Sequence, residues 1–171
     1  IHFHERLHNW SSSNVRNRIM ENQNKIIRDC QIHPTAIISP YINLYECEIQ
    51  ERVFIGPFVE IQKGAIIKRG ARISSHTFIC SGVTIGEDCF IGHGVMFTNG
   101  RFTTDSFETG RFLNTKEEQT IIGDRVRIGS SSVLLPITIG FDSIIGAGTV
   151  VTKNIEPNSV VVGNPGKVIR K

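Results

Sequence analysis

From Ile49 onward an apolar residue returns every six positions: Ile49, Ile55, Ile61, Ile67, Ile73, Ile79, Ile85, Ile91 and Phe97. Four residues after each of the first eight stands a small one, in order Val53, Val59, Ala65, Ala71, Thr77, Val83, Cys89 and Val95. A period of six matches neither the 3.6 of a helix nor the alternation of a long strand, and marks a repeat. Three short flat strands per coil satisfy it: 18 residues close one triangular turn, and turns stack at the usual strand spacing of ~4.8 Å. The pattern predicts inward isoleucines stacked on like residues of the next coil. It places the small residues at the corners, with Gly56, Gly82, Gly86 and Gly92 relieving backbone crowding.

Upstream, Ile32, Ile38 and Leu44 keep the beat but reach Ile49 one residue early; downstream, Ile122, Ile128 and Leu134 slip once before Ile139, Ile145 and Val151. Both slips predict tightened corners in a continuous fold. Between Phe97 and Ile122 the hexad is lost in a polar stretch, predicting a functional loop excursion at about 98–121. The organisation expected is an N-terminal segment 1–31, a β-helix over 32–162 and a C-terminal tail 163–171 with "GNPG" as a lid. Residues 1–19 lack the period and read as upstream or appended sequence, and His2, His4 and His8 within them are assigned no role.

Composition narrows the functional classes. A chain of 171 residues, 39% hydrophobic, suits one domain. A net charge of +3 without a long basic run argues against a nucleic-acid partner. Cys30, Cys47, Cys80 and Cys89 form no CxxC pair and read as reduced thiols of a cytoplasmic protein. No apolar run approaches the ~18–20 residues that span a bilayer, so no membrane partner is expected.

The hexads, with "SSHTFICSGVTIGEDCFIGHGVMFTN" and the ending "VVTKNIEPNSVVVGNPGKVIRK", resemble the hexapeptide-repeat acyltransferases of left-handed parallel β-helix fold. Within that family they look like the branch that N-acetylates nucleotide-linked amino sugars, 3-amino sugars in particular. The left-handed coil is what the resemblance implies, since parallel crossovers are normally right-handed. It further implies acetyl-CoA as cosubstrate, held between neighbouring prisms of a homotrimer; the histidine spacing, without three that converge, leaves no metal expected.

Stepping by coils brings separate residues onto one edge: Ser75 and His76, His93 and Gly94, Ser130 and Ser131, Ala147 and Gly148. Two titratable groups at one end and accessible backbone at the other suit a pantetheine arm along the axis, with Ser130, Ser131, Ala147 and Gly148 against the cofactor. An attacking amine must be neutral, and imidazole has the pKa for a general base at working pH. His76 is the first candidate base; the alternative is a ring that caps a corner by bonding a backbone carbonyl. His93 is a candidate for orienting substrate, and the Gly94 amide for donating to the thioester oxyanion.

In the resembling proteins the Asn of "FTN" and the acid after it lie near the amino sugar. Asn99 is therefore either a substrate contact or a residue that starts the loop by a hydrogen bond, and Gly100 stands where the acid is common, with Asp105 or Glu108 as substitutes. Arg101 and Arg111 are placed to meet a diphosphate, and Phe102, Phe107 and Phe112 to stack on a base or pin the loop. By resemblance, Lys153, Lys167 and Arg170 meet coenzyme A phosphates; a solvated basic tail is the alternative.

The expected function is acetyl-CoA-dependent N-acetylation of a dTDP- or UDP-linked 3-amino hexose for surface polysaccharide such as lipopolysaccharide. The competing readings are an O-acetyltransferase on a sugar or serine and a non-catalytic β-helix scaffold. A zinc hydratase on the same fold needs three converging histidines, and His33 lies more than two coils from His76.

Overall fold

The computed structural model describes residues 25–100 and 118–171. They form twenty-one strands, β1 to β21 in chain order, most of them two residues long, and no helix. Up to β19 every third strand stacks into the same sheet, giving three parallel sheets around a triangular prism, and β20 and β21 extend the third of them. Sheet A runs β1 (Lys25–Arg28), β4 (Ile42–Tyr45), β7 (Glu60–Ile61), β10 (Phe78–Ile79), β13 (Met96–Phe97), β16 (Val133–Leu134) and β19 (Val150–Val151). Sheet B holds β2 (Gln31–Ile32), β5 (Glu48–Ile49), β8 (Ile66–Ile67), β11 (Val83–Ile85), β14 (Thr120–Ile122) and β17 (Thr138–Ile139). Sheet C is built from β3 (Ile37–Ile38), β6 (Phe54–Ile55), β9 (Arg72–Ile73), β12 (Phe90–Ile91), β15 (Arg127–Ile128), β18 (Ile144–Ile145), β20 (Val160–Val162) and β21 (Lys167–Arg170). This is the parallel β-helix that the hexads predict, in its left-handed class.

The register explains the period. Ile61 pairs with Ile79, Ile55 with Ile73, and Ile67 with Ile85, so each inner side chain rests on its equivalent one coil away. These isoleucines are fully buried. β-branched side chains suit such extended dipeptides because their restricted χ1 already matches the pleat.

The corners differ from the expectation. Val53, Val59, Ala65, Ala71, Thr77, Val83, Cys89 and Val95 are as buried as the isoleucines and lie inside the prism. The chain turns just before them, at the third residue after each inner isoleucine. There the backbone is left-handed without interruption from Arg52 through Phe58, Gly64, Gly70, His76, Gly82 and Asp88 to Gly94. A small side chain is needed after the turn because two walls of the prism converge on it.

Backbone proximity of the coils explains Gly56, Gly86 and Gly92: a Cβ at Gly92 would stand 2.6 Å from the Ser130 nitrogen. Gly82, expected to relieve the same crowding, has open space around it and serves its left-handed corner, φ 72°. The two slips are shortened corners, since Ile32 pairs with Ile49 and Ile122 with Ile139 in unbroken sheet B.

The ends also depart from the sequence reading. β1 already pairs with β4 from Lys25 to Ile42, so the prism begins before residue 32. At the other end β21 folds back antiparallel on β20, which makes much of 163–171 a capping strand. The excursion leaves after Phe97 and regular pairing resumes at Thr120, opposite Val83.

The interior holds thiols as well as aliphatic groups. Burial, and then a hydrogen bond to the Cys30 thiol, push Cys47 up to about 12; burial pushes Cys89 up to about 11.

An unfolded thiol ionises near ~8.5, so both cysteines favour the folded state fully below that pH and lose this contribution as pH rises through 11 to 12. At pH 8 iodoacetamide is therefore expected to spare Cys47 and Cys89 in the native protein and to label them on denaturation, as read by peptide mass mapping. In the same core, Ile73→Ala is expected to cost about 2–5 kcal/mol in urea unfolding, and Arg72→Ala, on the outward neighbour, far less.

Candidate functional site

The edge between sheets C and A carries the polar residues that coil-stepping brought together. Main-chain hydrogen bonds climb it one coil at a time: Phe58 N–H to Tyr41 O at 2.7 Å, His76 to Pro57 at 3.2 Å, Gly94 to Ser75 at 3.0 Å, Ser131 to His93 at 2.8 Å and Gly148 to Ser130 at 2.9 Å. The Ser75–His76, His93–Gly94, Ser130–Ser131 and Ala147–Gly148 pairs are thus consecutive steps of one ladder.

Local conformation sets where each side chain goes. His76 sits at a left-handed corner, φ 61°, which turns its ring out of the prism wall and leaves it exposed. The ring stacks on Phe58, centroids 4.9 Å apart. A ring bond to a backbone carbonyl, which the capping alternative required, is not formed among the described residues. His93 is one coil higher and also exposed; its Nδ1 lies 2.9 Å from Ser75 Oγ, and its backbone N–H donates to Ser130 Oγ at 3.2 Å. With Nδ1 held by Ser75, Nε2 is the ring nitrogen left for a ligand. Beneath them Thr77 Oγ1 donates to Gly92 O at 3.0 Å, tying the two histidine-bearing turns together.

Three expectations are altered by this geometry. The Gly94 N–H already donates to Ser75 O, so it is committed to the ladder, and the oxyanion-donor role is withdrawn. Asn99 Nδ2 donates to Ser81 Oγ at 2.8 Å, and the Asn99 backbone carbonyl accepts from Glu118 N–H at 3.2 Å. Those two bonds pinch the stem of the excursion, the loop-starting role rather than a free substrate amide. Lys153 follows Val151 of sheet A and stands on the edge between sheets A and B with Ser81 and Asn99, one face away from Ser130 and Ala147.

Lys167 and Arg170 belong to β21, opposite Val162 and Val160 at the far end of sheet C. Arg101, Arg111, Asp105, Glu108 and the loop phenylalanines lie outside the described residues, as do His2, His4 and His8. His33 is on the third edge, between sheets B and C, its Nδ1 2.9 Å from Thr35 Oγ1, and does not meet His76 or His93. The third edge is an ionic seam: Arg125 forks onto Asp142 with two 2.7 Å bonds, and Arg69 pairs with Glu87.

Sequence reasoning missed Tyr41 and Phe58, on the same edge below His76. Their rings are 5.2 Å apart and nearly parallel. Stepping down from His76 by 18 and then 17 residues reaches both.

The model of the hexapeptide repeat of succinyl-transferase matches residues 82–97 and 119–153. The bifunctional protein GlmU of Trichodesmium erythraeum is 32% identical over 148 residues, covering 85% of this chain; the chain spans only 28% of that protein. Among solved structures, PerB from Caulobacter crescentus, in complex with CoA and GDP-perosamine, superposes with a TM-score of 0.57 at 22% identity, covering 91% of this chain and 63% of that one. A variant of AntD, an N-acyltransferase from Bacillus cereus, in complex with dTDP-4-amino-4,6-dideoxyglucose and coenzyme A, gives 0.61 at 18% identity, covering 94% and 89%.

Ser75→Ala is expected to release His93 while leaving the fold intact. The check is the nitrogen spectrum of the His93 ring: Nδ1 should shift on substitution, and an unchanged shift would mean the Ser75 bond is absent in solution.

Proposed function

We propose that this hexapeptide-repeat β-helix is an acyl-CoA-dependent N-acetyltransferase acting on a nucleotide-linked amino sugar. The observation that carries the reading is the ordered edge between sheets C and A, where two exposed histidines of consecutive coils stand at the foot of a run of small residues. PerB and AntD, of the same fold, are seen with coenzyme A and nucleotide-linked amino sugars, which supports this pairing of substrates. The pantetheine arm lies along Ser130, Ser131, Ala147 and Gly148, where side chains are too short to cover the backbone. Lys167, Arg170 and, from the neighbouring edge, Lys153 supply positive charge for the cofactor phosphates.

In the reaction the neutral amine attacks the thioester carbon, the tetrahedral intermediate loses coenzyme A thiolate, and the extra proton on nitrogen passes to a base. His76 takes that proton. His93, oriented by Ser75, positions the amine through Nε2. Asn99 and Arg101 act at the root of the excursion, Asn99 by shaping the stem and Arg101 by meeting the diphosphate. The active assembly is a homotrimer with three boundary sites, working in the cytoplasm on precursors of surface polysaccharide such as lipopolysaccharide.

The test is mass spectrometry of the protein incubated with acetyl-CoA and nucleotide-linked 3-amino and 4-amino hexoses, with hydroxyl counterparts, free sugars and serine as controls. Gain of one acetyl group on an amino sugar, absent with its hydroxyl counterpart, is expected. Gain on a hydroxyl acceptor would assign an O-acetyltransferase; no gain anywhere would point to another acyl donor or acceptor, and no gain together with no coenzyme A binding to a scaffold. In the active pairing His76→Ala is expected to lower kcat by about 10²- to 10⁴-fold with little change in coenzyme affinity; an unchanged kcat removes His76 from the mechanism.

A further inference from the structure

We propose that Tyr41 and Phe58, on the edge below the histidines, form the subsite for the nucleobase of the acceptor; this rests on the acetyltransferase reading and adds where the nucleotide lies. Tyr41, Phe58 and His76 form one column of near-parallel rings, with centroid spacings of 5.2 and 4.9 Å. The column starts where the candidate catalytic pair ends.

Two features set these rings apart from core aromatics. Phe58 is 53% and Tyr41 42% exposed, so their bulk contributes little to the interior. Both occupy the left-handed corner, φ 58°, a conformation that bulky residues adopt at a cost and that Gly64, Gly70 and Gly82 fill at equivalent corners without one.

A cleft of about 420 Å³ opens beside the column on the outer face of sheet A, lined by Tyr41, Phe58, Asn43 and Glu60 among others. Tyr41, at the free end of the column, offers its outer π face to a flat ring; Phe58, with a ring on each side, backs Tyr41 and offers its edge, and the polar residues offer hydrogen bonds. Glu60 Oε1 accepts from Gln62 Nε2 at 3.1 Å, leaving its second oxygen as an acceptor for a base N–H. Asn43 Oδ1 is buried without a partner among the described residues. Purely apolar ligands would leave both groups unanswered, whereas a nucleobase brings a π face and N–H donors together.

The placement also gives the edge a direction. The cofactor arm occupies the coils from His93 toward Gly148, and the acceptor the coils from His76 toward Tyr41. Amine and thioester then meet end to end at the histidine pair, the only level both ligands share.

The test is calorimetric binding of UDP, dTDP and GDP to the wild-type protein, to Phe58→Ala and to Phe58→Trp, with acetyl-CoA binding measured on each. One nucleotide is expected to bind the wild type, to weaken about 10-fold or more in Phe58→Ala and to be retained by Phe58→Trp, while acetyl-CoA affinity stays unchanged. Equal nucleotide affinity in Phe58→Ala, or no binding by the folded wild type, overturns the subsite. If Phe58→Ala does not fold, Tyr41→Leu keeps the bulk without the exposed π face and gives the same readout. Failure of the two readings is distinguishable. Phe58-dependent nucleotide binding with no acetyl transfer sinks the enzymatic reading alone, and acetyl transfer with an acceptor KM unchanged in Phe58→Ala sinks the subsite alone.

Discussion

Stacking of one buried isoleucine on the next, at the spacing of adjacent strands, is the constraint from which the rest follows. It makes the coil length rigid, because a residue gained or lost within a strand would turn an inward side chain outward. It also locks the three corners of each coil into columns. The candidate edge is a by-product of that locking: residues 17 or 18 apart become neighbours, and Ser75 meets His93 without any helix or long strand to position them. Where the chain drops a residue, it does so at a corner, and the inner pairing Ile32 to Ile49 survives.

Because the core takes one face of every strand, chemistry can only reside on outward residues and corners. Each edge has acquired a different character from its corner residues. The edge between sheets B and C is an ionic seam, with Arg125 and Asp142 held together and Arg69 beside Glu87. The edge between A and B is where the excursion is pinned by Asn99 and Ser81. The edge between C and A holds rings at one end, histidines in the middle and small residues at the other.

The inner positions were legible from the sequence because burial repeats at a fixed interval, and so was the histidine edge, because columns follow from coil length alone. Less could be read where the answer depended on direction. The turn lies one residue before the small side chains, since Val53 and Ala65 are needed inside the narrowing corner. Coil arithmetic placed Gly94 above His76, yet could not show that its N–H is spent on Ser75 O. Lys153 fell on the neighbouring edge because its resemblance-based role carried no information about which corner it occupies. The early start at Lys25 is hidden because Ile27, in register with inner Leu44, stands five residues rather than six before Ile32 and is left half-exposed at the end of the prism.

The central claim is that one edge receives both substrates and brings them together at His76 and His93. A crystal structure with coenzyme A and the nucleotide that binds tests it most directly. The account predicts the pantetheine arm along Ser130 to Gly148, its sulfur at the level of the two histidines, and the base against Phe58 and Tyr41. Coenzyme A lying along the Arg125–Asp142 edge, or its sulfur coils away from His93, would contradict it.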